Sequence, residues 1–146
     1  MVELLITLTI AGILAAAALP SYSSFVANQR IKTSSFEIMS ALTLARSEAL
    51  KRNDNVVISP ATGGWGNGWT TITTLNSINI TLNDQAALRG ITFVSSPASN
   101  ITYTNSGRLL AVITPFELSS SSSTATAHRC IRVDLSGRPS SKVGAC

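Results

Sequence analysis

The chain has 146 residues, which is enough for one domain with a modest core. Apolar residues make up 45% of it and charged residues only 12%, about half the charged share of a soluble domain. Most of the apolar excess lies before Pro20, and the remainder is rich in Ser, Thr and Asn, as in secreted β-proteins and extracellular filament subunits. This uneven distribution argues against an ordinary soluble domain. The net charge of +4 does not by itself establish an acidic partner.

The N-terminal segment is a nearly uncharged apolar run. Residues 2–19 carry one charge, Glu3, and as a helix they would measure about 27 Å, close to the roughly 30 Å of a bilayer core. A signal peptide and an ordinary membrane anchor are the alternatives. A signal peptide should open with Lys or Arg, and here only Met-Val-Glu precedes the run. We predict a transmembrane or filament-core helix over residues 1–28.

Glu3 is the unusual residue of this segment. A carboxylate at the edge of an apolar helix is costly unless a partner pairs with it, which favours an interface position. The alternative is a simple end charge, because an acidic residue in the first turn also suits the helix dipole.

An amphipathic pattern follows the apolar run and predicts a second helical half over residues 29–53. Pro20 is expected to kink the helix without necessarily ending it. Glu48 and Arg52 have the favourable i,i+4 spacing, and residues 53–55 (Asn-Asp-Asn) should end the helix. The apolar stripe, mostly at spacings of three, four or seven, consists of Tyr22, Phe25, Val26, Ile31, Ile38, Leu42, Ala45 and Ala49. This half needs a surface to pack against.

The composition of residues 56–146 predicts a β-rich region. Together with the amphipathic helix over 29–53 it is expected to form a globular head, residues 29–146. Short β-branched runs are separated by turn residues, and residues 119–126 form a low-complexity serine-rich loop. The predicted strands are 56–58, 69–74, 78–82, 91–94, 101–104, 108–113, 116–118 and 129–133. The sequence therefore predicts an α+β fold, with one long helix laid across a face of an antiparallel sheet.

The residue inventory argues against an enzyme. His128 is the only histidine, and the sequence has neither a nucleophile-elbow motif nor a zinc-ligand pattern nor a phosphate-binding loop. Trp65 and Trp69 could form a ligand platform, but aromatics beside glycines more often pack a loop. We predict no catalytic residue, metal, cofactor or small-molecule substrate.

The C-terminus combines two cysteines with a basic cluster. Cys130 and Cys146 favour one disulfide in an exported protein, worth about 3 kcal/mol in the chain-entropy model, and two unpaired buried thiols are the alternative. The last eighteen residues hold one carboxylate, Asp134, and four cations: Arg129, Arg132, Arg138 and Lys142. Cations on a restrained loop can bind phosphates without reading bases. The alternative, which composition alone favours, is a solvated tail or arginines paired to a neighbouring subunit.

Several motifs together resemble a known family. Residues 2–5 (Val-Glu-Leu-Leu) with their apolar continuation are similar to the N-terminal methylation segment of type IV pilins and pseudopilins. The head is similar to the GspH/FimT/FimU group of minor pilins and minor pseudopilins. Its matching segments are 45–49 (Ala-Arg-Ser-Glu-Ala), 65–69 (Trp-Gly-Asn-Gly-Trp), 105–108 (Asn-Ser-Gly-Arg) and 130–138 (Cys-Ile-Arg-Val-Asp-Leu-Ser-Gly-Arg).

The resemblance implies a structural role. Such a subunit is processed by a prepilin peptidase and held in the inner membrane with its head in the periplasm. It then joins a minor-pilin complex that primes assembly at the tip of an extracellular filament. The family glutamate maps to Glu3, where it compensates the N-terminal amine of an adjacent subunit. The family's cleavage glycine, phenylalanine and threonine are absent here, so either the chain starts late or its leader has been removed.

Two specialised roles also follow from the resemblance. FimT-like members are implicated in DNA uptake through a Gly-Arg-x-Arg motif, which reads Gly137-Arg138-Pro139-Ser140 here. Serine replaces the second arginine, which weakens the DNA hypothesis, and Lys142 is the candidate substitute. The alternative assignment is the minor pseudopilin of a type II secretion system.

Overall fold

One helix extends through a third of the chain. The computed structural model describes residues 2–75, 78–121 and 127–146, and the side chains of 15–21 lie outside that description, so the predicted Pro20 kink does too. Helix α1 is continuous over Val2–Arg52. Within the described ranges, no helix meets the length and apolarity that a membrane crossing requires.

The two halves of α1 differ in what covers them. In the first half the described apolar side chains are exposed, whereas from Ala27 onward the head buries a stripe that includes Ile31, Ile38, Leu42 and Ala45. The predicted amphipathic half is therefore present. Tyr22 and Phe25, which begin the predicted apolar stripe, are 68% and 66% exposed, because the head covers α1 only beyond them.

The end of α1 is set where the sequence predicted it. Asn53 takes a left-handed conformation with φ 54°, and the Asp54 amide donates to the Ala49 carbonyl at 3.2 Å. This is the bond of a Schellman cap, which asparagine tolerates better than other side chains. One turn earlier, Glu48 pairs with Arg52 at 2.6 Å, as expected from their spacing.

The head consists of two four-stranded antiparallel sheets rather than one. Strands β3-β2-β1-β5 form the first sheet and β4-β6-β7-β8 the second. The strands are β1 Val56–Pro60, β2 Trp69–Leu75, β3 Ile78–Gln85, β4 Ile91–Ser95, β5 Ile101–Tyr103, β6 Phe116–Ser120, β7 Arg129–Val133 and β8 Pro139–Val143. Both sheets pack on α1, which is the element they share.

Two strand assignments differ from the prediction. The predicted strand 108–113 forms only one isolated bridge, Tyr103 to Leu109. The amides of Leu109 and Leu110 donate to two different segments, at Leu135 and Thr102, so no regular ladder can form. Strand β8 was not predicted, because it opens with proline and its Ser-Ser-Lys run lacks apolar alternation.

Aromatic side chains fill the interior between the sheets and α1. Trp65 and Trp69 are buried, with ring centroids 6.3 Å apart, and Phe116 meets Trp65 edge-on at 5.0 Å. The Trp65 indole donates to the Pro97 carbonyl at 2.8 Å. These tryptophans therefore anchor the loop that contains Gly63, Gly64, Gly66 and Gly68, and they do not form an exposed ligand platform.

Candidate functional site

The C-terminal segment is fastened to the second sheet by a disulfide. Cys130 on β7 and Cys146 are bonded, as the sequence predicted. The Gly144 amide also donates to the His128 carbonyl at 2.7 Å. The residues that follow strand β8 are therefore fastened to β7 and to the residue that precedes it.

Three of the predicted cations lie on this hairpin, and two of them share its outer face. In the β7–β8 register Arg132 is opposite Ser140 and Cys130 is opposite Lys142, which makes Arg132 and Lys142 diagonal neighbours on one face. Ser141 points the other way, since its hydroxyl lies 3.1 Å from that of Ser35 on α1. Arg138 is in the turn that joins the two strands. We call Arg132, Arg138 and Lys142 the outer basic face.

The side chains of the outer basic face are exposed. In the part of the chain that the structure describes, none of its three cations lies within ion-pair distance of a side-chain carboxylate. Arg132 donates to the main-chain oxygen of Cys146, which orients its guanidinium along the C-terminal segment. The face therefore presents positive charge on a restrained support.

Arg129 does not belong to this face. It lies on the opposite side of β7 and lines a groove beside Phe25 and Lys32 of α1. Successive side chains of a strand point to opposite faces. Arg129 and Arg132 are three positions apart, an odd number, so they lie on opposite faces of β7. Arg129 thus lies apart from Arg132 and Lys142, with which the sequence analysis grouped it.

A carboxylate beneath the C-terminal segment ties it to the neighbouring strand. Glu117 on β6 accepts from the Cys146 amide at 3.1 Å, and its other oxygen lies 2.7 Å from His128 Nδ1. The hydrogen bond to His128, followed by that to the Cys146 backbone, lowers the pKa of Glu117. His128 thus has a structural contact that the sequence did not reveal, since Glu117 is eleven residues away.

Three of the family-like motifs meet at one junction beside the end of α1. Arg46 donates to the Gly107 carbonyl at 3.1 Å. Gly137, with φ 78°, lies against the same carbonyl, and a Cβ there would approach it to 2.0 Å. A side chain at 137 would therefore push the Gly137–Arg138 turn away from Gly107.

The second candidate surface is the first half of α1. Its described apolar side chains are between 53% and 70% exposed: Val2, Leu4, Leu5, Ile6, Leu8, Ile10, Ile13 and Leu14. Glu3 lies in the first turn and is exposed. A contiguous apolar surface of this size marks a contact with lipid or protein. No group of His, Cys, Asp and Glu in the described ranges is arranged to hold a metal ion.

The GspH family model, described as type II transport protein GspH, matches residues 36–137. The chain belongs to the GspH family. No curated protein sequence matches the chain. The match begins on α1 and ends at Gly137, so it contains the Arg46–Gly107–Gly137 junction, whereas Arg138, strand β8 and Cys146 follow it.

Solved structures of two such proteins share the fold. The Pseudomonas aeruginosa type IV minor pilin FimU superposes with a TM-score of 0.66 at 22% identity, covering 81% of this chain and 92% of that one. The minor pseudopilin EpsH of the Vibrio cholerae type II secretion system superposes with a TM-score of 0.55 at 16% identity, covering 80% of this chain and 97% of that one. The pilin-like α+β architecture is thereby established for this GspH-family chain.

The Glu117 contact predicts a specific pH dependence. A carboxylate whose pKa is lowered in the folded state stabilises it above the unfolded pKa of about 4.3, and this stabilisation is lost as the pH falls through the folded pKa. The thermal midpoint of the wild type should therefore fall more steeply below about pH 5 than that of Glu117→Gln. Glu37→Gln, which also removes one carboxylate, is the matched control. Parallel acid profiles for wild type and Glu117→Gln would contradict this account.

Proposed function

We propose that this protein is a minor pilin, a structural subunit of a type IV pilus. The observation that carries the proposal is the exposed apolar surface of α1 joined to a GspH-family head. Such a surface is unfavourable in water and requires lipid or neighbouring helices. In this role the chain is held by α1 in the inner membrane, with its head in the periplasm, before it enters the filament.

Glu3 is the assembly residue of the proposal. It lies at the start of α1 among exposed apolar side chains, where burial in a helical bundle would leave its charge unpaired. Pairing with the N-terminal amine of an adjacent subunit removes that cost and fixes the axial register of the two helices. The subunit then acts at the filament tip, where it primes assembly together with other minor pilins.

One pair of substitutions tests whether the α1 surface mediates assembly. Leu8 on α1 and Val112 on the head are 64% and 76% exposed, so a lysine is tolerated by the isolated fold at either site. Leu8→Lys should abolish recovery of the protein in sheared filaments and lower the number of filaments, because the charge is buried by assembly. Val112→Lys should leave both unchanged. Filament recovery by immunoblot and filament counts by electron microscopy are the measurements.

Equal incorporation of the two lysine variants would refute assembly through α1. The same cells separate the pilus from the alternative assignment, a type II secretion pseudopilin. Deletion of the gene should reduce piliation and twitching and leave secretion of exoproteins intact. Lost secretion with normal piliation would move the assignment to the secretion system. The Gly137–Arg138 turn and the Cys146-bonded segment favour the pilus.

Binding of double-stranded DNA is a second candidate function of the same subunit. It is supported by the clustering and exposure of Arg132, Arg138 and Lys142 on the disulfide-bonded hairpin. Three cations in one patch suit a phosphate backbone and would bind it without base specificity. The binding is expected to be weak and strongly dependent on salt.

A titration of the full chain in detergent with duplex DNA tests this candidate. Arg138→Ala and Lys142→Ala should each weaken binding several-fold and reduce the salt slope by about one. Lys51→Ala, which removes the same charge at an exposed site outside both basic surfaces, is the control. Unchanged affinity in Arg138→Ala, or an equal loss in Lys51→Ala, would rule out this face as the DNA site.

A further inference from the structure

Four cations surround α1 at the point where it enters the head. Arg30 and Lys32 are two residues apart on the helix, which places them on opposite sides of it. Arg89, from the segment between β3 and β4, lies on the Arg30 side, and Arg129 of β7 lies on the Lys32 side. We call Arg30, Lys32, Arg89 and Arg129 the basal collar.

The two sides of the collar are open grooves that combine apolar walls with cations. The groove of about 460 Å³ contains Arg30 and Arg89 together with Phe25 and Leu88, and Glu37 is the carboxylate that faces it. The groove of about 230 Å³ contains Lys32 and Arg129 beside Phe25 and Val143. Within the described residues, none of the four cations is ion-paired to a side-chain carboxylate. The collar therefore carries an excess of positive charge.

The Arg30 side chain lies against a glycine. Its guanidinium lies over Gly90, where an added Cβ would come within 2.9 Å of Nη1. Gly90 has φ 75° and its carbonyl accepts from the Ser121 amide, so the backbone at this point is fixed in a turn that suits glycine. The arginine side chain is thereby directed along the base of the head.

The order of side chains along α1 matches the layers of a membrane surface. Exposed apolar residues come first, the exposed aromatic residues Tyr22 and Phe25 follow, and the collar begins at Arg30. Arg30 lies about 7.5 Å beyond Phe25 along the helix axis, and the headgroup layer of one leaflet is roughly 5–8 Å thick. Aromatic residues prefer the interface, and cations beside it bind anionic lipids.

We propose that the basal collar binds the headgroups of anionic phospholipids and so seats the head on the membrane surface before assembly. This inference rests on the proposed membrane-held state of the subunit. Charge complementarity and continuity with the apolar surface of α1 favour lipid over the acidic surface of a neighbouring subunit, which would not require the aromatic layer. When the subunit leaves the membrane for the filament, the collar cations lose the lipid headgroups and become free to contact neighbouring subunits.

Partition of the full chain between two vesicle populations isolates the headgroup contribution. Vesicles of phosphatidylcholine and vesicles of phosphatidylcholine with phosphatidylglycerol compete for the same protein, so insertion of α1 contributes equally to both. Each cation near the surface should favour the anionic vesicles about fivefold, and the preference should shrink with added salt. The double variant Arg30→Gln, Arg89→Gln should lower the preference about 25-fold, because two of the four fivefold contributions are removed.

The control double variant Lys51→Gln, Arg108→Gln removes the same charge far from the collar, since Lys51 is about 32 Å along α1 from Arg30. It should partition as the wild type does. Equal loss in both double variants, or no loss in the collar variant, would overturn the proposal. A collar variant that keeps its lipid preference but fails to enter filaments would assign the collar to an acidic subunit surface instead. Absence of the protein from both vesicle types would refute the membrane-held state as well.

Discussion

Burial of one stripe of α1 is the interaction on which the rest of the head depends. Ile31, Ile38, Leu42, Ala45 and Ala49 face both four-stranded sheets, and the two sheets form no common hydrogen-bonded ladder among the described strands. Without α1 each sheet would expose an apolar face to water. The small alanine residues at 45 and 49 are fully buried and allow the strands to approach the helix closely. The helix is thus both the centre of the head and the support for everything outside it.

This arrangement separates an apolar surface from the charged surfaces along the chain. Among the described side chains, the first half of α1 exposes large apolar residues and one carboxylate, Glu3, whereas both basic surfaces lie at the head. The Arg46–Gly107–Gly137 junction connects α1 to the head, because it joins the end of the helix to turns of both sheets. It lies inside the region matched by the family model, while most of the outer basic face follows it. The scaffold that the family model matches therefore carries a basic surface that lies mostly beyond the match.

Much of the architecture could be predicted from local patterns. The amphipathic stripe, the end of α1 at Asn53 and seven of the eight strands follow from periodicity and turn residues. The division into two sheets could not, because strand β5 pairs with β1 while β4 pairs with β6, and such non-local pairing leaves no signal in a short window. Strand β8 was not predicted for a different reason. Its proline and polar residues are typical of a turn, and it forms a strand because it pairs with β7.

The candidate sites show the same limit. The cysteines near the C-terminus predicted the disulfide. The sequence grouped four cations there and could not separate Arg129 from the others, because its direction depends on strand register. The collar was missed because Arg89 is 59 residues from Arg30 and joins it only through the fold. The Glu117–His128 contact was missed because nothing near either residue marks it. Groups of side chains from different strands could therefore be identified only from the structure, whereas groups within one helix could be predicted from the sequence.

The most direct test of the central claim is the reactivity of a single cysteine placed at Leu8, measured with a polar maleimide in intact filaments and after the filaments are dissociated. Both native cysteines are in the disulfide, so the introduced thiol is the one that reacts. If α1 is the assembly surface, the cysteine at Leu8 is protected in filaments and reacts after dissociation, while a cysteine at Val112 reacts in both states. Equal reactivity of the Leu8 cysteine in the two states would contradict the account.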